Sequence, residues 1–63
     1  MESDLKEDIK ALIQAFEDIA ADKKSLANKE QNEFLKGYYT GKQEAYTVAA
    51  DGLKNALSLK WRV

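Results

Sequence analysis

The spacing of the large apolar residues at the start of this chain limits what it can become. Leu5, Ile9, Leu12, Phe16 and Ile19 follow one another at steps of four, three, four and three. At 100° per residue these steps place all five side chains in one stripe along a helix. A strand would divide them between two faces, because its side chains alternate. Ile13 and Ala20 widen the stripe on one flank. Such a stripe has to be covered, since most helical stability comes from packing an amphipathic face. The start of the helix is marked as well. The Ser3 hydroxyl can accept a backbone N–H that the first turn leaves unpaired. Asp4, Glu7 and Asp8 then place negative charge at the positive end of the helix dipole.

Continuing the same steps brings Lys23 to a position where an apolar residue is due, and then Leu26. The pattern weakens over the polar segment Asp22 to Asn32, DKKSLANKEQN, which holds three possible caps: Ser25, Asn28 and Asn32. Asn28 and Gln31 have the spacing of a capping box. Lys23 and Lys24 suit the negative C-terminal end of a helix. Together they predict a first helix over about 4–24 and a turn at about 25–28. One unbroken helix over 4–36 is the competing reading, and it could bury its stripe only against another molecule.

A second helix is predicted over about 29–59. Phe34, Leu35, Tyr38, Tyr39, Ala45, Tyr46, Ala49, Leu53, Ala56 and Leu57 fall within an arc of about 140° on a helical wheel. Lys36, Thr40, Gln43, Thr47, Asp51, Lys54 and Ser58 fall opposite. The separation persists through Gly37, Gly41 and Gly52, which argues that the helix does too. Each glycine costs roughly 1 kcal/mol relative to alanine in a helix interior. Close approach of another backbone is the expected offset. The segment GYYTG, residues 37–41, also fits a turn between two shorter helices. At 1.5 Å per residue, helices of these lengths would measure roughly 31 and 46 Å. The first could not cover the second.

Composition agrees with an all-α chain and narrows its function. The 63 residues make one domain, 1–63, and contain no Cys, no His and no Pro. A core this small is marginal without disulfides, metal or self-association. The first two lack their usual ligands. No run is apolar enough to span a membrane, and the acidic, amphipathic start does not read as a signal peptide. A cytoplasmic location is expected. Residues 1–32 carry eight acids against five lysines, and residues 33–63 carry three acids against five bases. The halves are mildly complementary, and neither is basic enough to predict nucleic-acid binding from charge.

No catalytic, cofactor or metal site is expected. Tyr38 and Lys42 have the Tyr-x-x-x-Lys spacing of short-chain dehydrogenases, but the dinucleotide fold that chemistry needs does not fit in this length. Ser and Thr have no His to activate them. Asp4/Asp8 and Asp18/Asp22 are carboxylate pairs at helical spacing that lack further converging oxygens, so they read as solvated faces. The residue that stands out is Lys42, near the middle of the apolar arc. Its stem can lie on apolar surface while its ammonium reaches water. Its ammonium can also stack on a tyrosine ring. Alternatively, Lys42 with Tyr38, Tyr39, Tyr46 and the terminal Trp61 marks a surface for a partner, because Tyr and Trp combine large apolar area with a polar tip.

The stretch from Glu33 to Tyr46, EFLKGYYTGKQEAY, resembles a pattern in small uncharacterised helical proteins of Gram-positive bacteria and their phages. The resemblance implies a compact helical protein and supplies no catalytic residues. The expected architecture is a two-helix antiparallel hairpin with a long second helix, dimerising into a four-helix bundle. The expected function is a non-enzymatic protein–protein interaction or regulatory role through the tyrosine-rich face. A nucleic-acid-associated protein and a purely structural oligomerisation module are the alternatives.

Overall fold

The computed structural model describes residues 2–60, folded as two helices that pack side by side in an antiparallel hairpin. Helix α1 runs over Glu2–Lys29 and helix α2 over Glu33–Lys60, 28 residues each. The connection is residues 30–32. The turn expected at 25–28 is therefore displaced, and α1 extends past residue 24. Of the three candidate caps, Asn32 is the one used. Its side-chain oxygen accepts the Leu35 N–H at 3.1 Å, and its carbonyl accepts the Lys36 N–H at 2.8 Å. Those two bonds define an N-cap. Glu30 closes the turn from the other side. Its backbone N–H donates to the Leu26 and Ala27 carbonyls, and its carboxylate accepts the N–H groups of Gln31 and Asn32. Ser25 and Asn28 stay helical because Leu26 and Ala27, between them, continue the packed face of α1.

The equal helix lengths overturn the expectation of a long second helix left uncovered by a short first one. The helix does run through Gly37, Gly41 and Gly52, none of which has a positive φ. The offset expected for them is absent from the hairpin. A Cβ built at any of the three would meet nothing within 4 Å.

The line of contact between the helices runs through small residues. Ile13, Ala20 and Ala27 in α1 and Ala50 in α2 are the buried ones, and Ala50 is only 2% exposed. Half-buried Ile9, Phe16 and Lys23 complete the seam on α1, and Tyr39, Gln43, Tyr46, Leu53 and Leu57 on α2. Each set again follows steps of three and four. The seam on α1 is thus centred on what the sequence presented as a flank. On α2 it includes Gln43, which a hydrophobic wheel assigns to the polar side. Small side chains let helix axes approach, and bulky neighbours then flank that line of approach. Hydrophobicity alone centres the stripe on the bulky residues instead.

This shift leaves the two sides of the hairpin unlike. Along one side, Lys10, Glu17 and Lys24 of α1 run beside Thr40, Thr47 and Lys54 of α2, and the Lys54 ammonium pairs with the Glu17 carboxylate. That pair fixes which edges of the two helices lie together. The columns on the far edges therefore share the other side. They are Leu5, Leu12, Ile19 and Leu26 on α1, and Leu35, Lys42, Ala49 and Ala56 on α2. No helix among the described residues is long and apolar enough to cross a membrane.

Candidate interaction surface

The residues expected to form a partner surface separate into two groups. Tyr46 is half-buried in the seam, its ring 5.6 Å from that of Phe16 at an angle of 50°. Tyr39 is half-buried as well, and its ring meets that of Tyr38 edge-on at 5.6 Å. Of these two, Tyr46 makes the ring contact that crosses between the helices. Tyr38 is 52% exposed, and the Lys42 ammonium lies 5.4 Å from the centre of its ring. Both therefore face solvent on the apolar side. A cation over an exposed ring is worth about 0.5–1 kcal/mol. Of the three readings of Lys42, stacking on Tyr38 is the one realised within a single chain. Trp61 lies outside the described residues.

The apolar side is open at the first half of α1 and at the start of α2, while Ile19, Leu26 and Ala49 are half-buried. Leu5 is 50% exposed, and Leu12, Leu35 and Tyr38 are also among the exposed large apolar residues. Exposure continues round the outside of α2 through Val48 and Leu59 to Phe34, which is 82% exposed. Scattered exposed leucines are normal on a protein surface, whereas a contiguous column of them marks an interaction site. The leucine column was legible as half of the first stripe. What the sequence could not supply was that α2 would cover the other half.

The polar side is different in kind. A shallow depression of about 300 Å³ there is lined by Glu17, Ala20, Thr47, Ala50, Asp51 and Lys54. Two of its charged groups, Glu17 and Lys54, are paired with each other. The Lys54 amine is held above its usual 10.5, first by its hydrogen bond to Glu17 and then by attraction to the same carboxylate. Thr47 donates to the Gln43 carbonyl at 2.8 Å, a bond within the helix. Elsewhere Asp18 accepts a hydrogen bond from Gln14 at 2.9 Å, and Lys10 pairs with Glu7 at 3.5 Å. Among the described residues no three acidic groups gather closely enough to hold a metal ion.

Comparison with protein-family models, curated proteins and solved structures returned no match. The geometry of the hairpin is therefore what bears on function.

Proposed function

We propose that the chain is a small non-enzymatic interaction module whose first partner is a copy of itself. Two hairpins join on their apolar sides into a four-helix bundle. The observation that carries this reading is the leucine column of α1 lying on the same side as Leu35, Ala49 and Ala56 of α2, with the Glu17–Lys54 pair turned to the other side. The hairpin core supports it too. Among the described residues, three of the four buried ones are alanines, and no large side chain is fully buried. A domain of this size needs more apolar burial than that to be stable. A bundle supplies the burial and leaves Phe34 and Val48, on the outside of α2, for a different protein. The setting we assign is the cytoplasm, since a chain without cysteine suits a reducing compartment.

Nucleic-acid binding has less behind it. The net charge is −1, and Lys54 is committed to Glu17. Affinity for phosphates depends on the number of free cations that displace counterions. Sedimentation velocity at micromolar concentration tests the proposal. The parent chain should sediment as a dimer. Leu12→Lys should sediment as a monomer with reduced helical circular dichroism. A monomeric parent chain would refute the proposal.

A further inference from the structure

We infer that the two copies stack like on like, with α1 over the partner's α1 and α2 over the partner's α2, each pair antiparallel about a two-fold axis at mid-length. This rests on the dimer just proposed and adds its orientation and residue pairing. Two arrangements bring the same side of two hairpins together with two-fold symmetry. An axis along the hairpin places α1 over the partner's α2. An axis across it places each helix antiparallel over its own copy.

The columns at the rims of the apolar side decide between them. The rim of α1 carries Asp8, Ala15, Asp22 and Lys29, and the rim of α2 carries Tyr38, Ala45, Gly52 and Leu59. An axis along the hairpin would set the first column against the second, with carboxylates over a tyrosine, glycine and leucine. An axis across it sets Asp8 against Lys29 and Asp22 against Ala15 on the α1 rim, and keeps the α2 rim apolar against apolar. Direction then supplies charge complementarity. Asp8 meets Lys29 of the other copy, twice by symmetry, and all four of these groups are exposed in the single hairpin. On the α2 rim, Tyr38 meets Leu59 and Ala45 meets Gly52, so large residues face large and small face small. In the leucine column Leu12 meets Leu26, and Ile19 meets its own copy on the axis. Lys42 meets Ala56, whose small side chain leaves room for the ammonium to stay over Tyr38, and Ala49 meets its own copy near the axis.

The two rims also agree on where the axis lies. The α1 pairing centres it between Asp18 and Ile19, and the α2 pairing between Val48 and Ala49. The α2 point lies between the levels that two cross-helix contacts beside the α1 point imply, Phe16 on Tyr46 and Glu17 to Lys54. Area is sufficient as well. The hairpin measures 46 × 16 × 15 Å, so one side offers about 700 Å² and the pair would bury roughly 1,400 Å². Stable interfaces bury about 1,200–2,000 Å² in total.

The chain has no cysteine, so the orientation can be read by crosslinking. Ile19→Cys, oxidised with diamide, should form a disulfide-linked dimer far faster than Gln14→Cys on the outer face of α1. A charge swap checks the rim without touching the core. Asp8→Lys should weaken dimerisation roughly tenfold, through two exposed ion pairs lost and replaced by repulsion, and Asp8→Lys with Lys29→Asp should restore it. A chain that sediments as a dimer while Ile19→Cys links no faster than Gln14→Cys, and while the double swap fails to restore affinity, overturns the orientation and leaves the dimer standing. A monomeric chain overturns both.

Discussion

Replacing Gly37 and Gly41 by alanine should make this protein more stable. Both lie inside the uninterrupted helix α2, and neither has a backbone conformation that excludes a side chain. A methyl group added at either position meets nothing within 4 Å, so no packing is disturbed. What remains is propensity. Alanine in a helix interior is favoured over glycine by about 0.8–1 kcal/mol, largely because glycine loses more freedom on folding. Two such changes at exposed positions should add to about 1.5–2 kcal/mol. In a domain of 60–100 residues each kcal/mol moves Tm by about 4–8 °C, so the double variant should melt roughly 6–16 °C higher. Circular dichroism melts of both proteins at one matched concentration give the comparison without a contribution from association. A lower Tm for Gly37→Ala or Gly41→Ala would mean that GYYTG is a turn requiring glycine, and the continuous α2 would be wrong. Gly52 is expected to behave differently, because the like-on-like dimer brings Ala45 of the other copy onto it.

Two further substitutions examine the turn and the polar side. Asn32→Ala removes the cap on α2 and should cost about 1 kcal/mol by urea denaturation, whereas Asn32→Asp keeps an acceptor and should cost little. Equal losses for the two would remove the cap from the account. The Glu17–Lys54 pair predicts an alkaline effect of defined sign. Lys54 has its pKa raised on folding, so its contribution is complete below 10.5 and is lost as pH rises through the folded value. The stability difference between the parent chain and Glu17→Gln should be flat from about pH 7 to 9 and shrink above 10.5. A difference that stays constant into the alkaline range would show that the ion pair does not contribute.

The helical hairpin was legible because Leu5, Ile9, Leu12, Phe16 and Ile19 keep helical spacing and the wheel of α2 separates through three glycines. The turn was not, because Ser25, Asn28 and Asn32 have similar capping chemistry. What selects Asn32 is tertiary: Ala27 is buried against α2, which holds the chain helical past the first two candidates. The centre of the seam was missed for a related reason. Ala20, Ala27 and Ala50 contribute little to a hydrophobic pattern, yet they set the line along which the helices approach. The tyrosines looked equivalent in sequence. Phe16 draws Tyr46 into the seam, while Tyr38 two turns earlier is left outside with Lys42 above it. The open leucine column could be named only once α2 was seen to cover Ile13 and Ala20 and leave Leu5 and Leu12 uncovered.

The central claim is that this uncovered side binds a second copy, and the concentration dependence of Tm tests it most directly. If folding is coupled to dimerisation, a hundredfold dilution removes about 2.7 kcal/mol of apparent stability per dimer, which should lower Tm by roughly 10 °C. Leu12→Lys should abolish that dependence. A parent chain whose Tm does not move on dilution from 100 to 1 μM (on the order of the concentrations accessible to circular dichroism), and whose sedimentation equilibrium returns the mass of one chain, 7.1 kDa, would contradict the account.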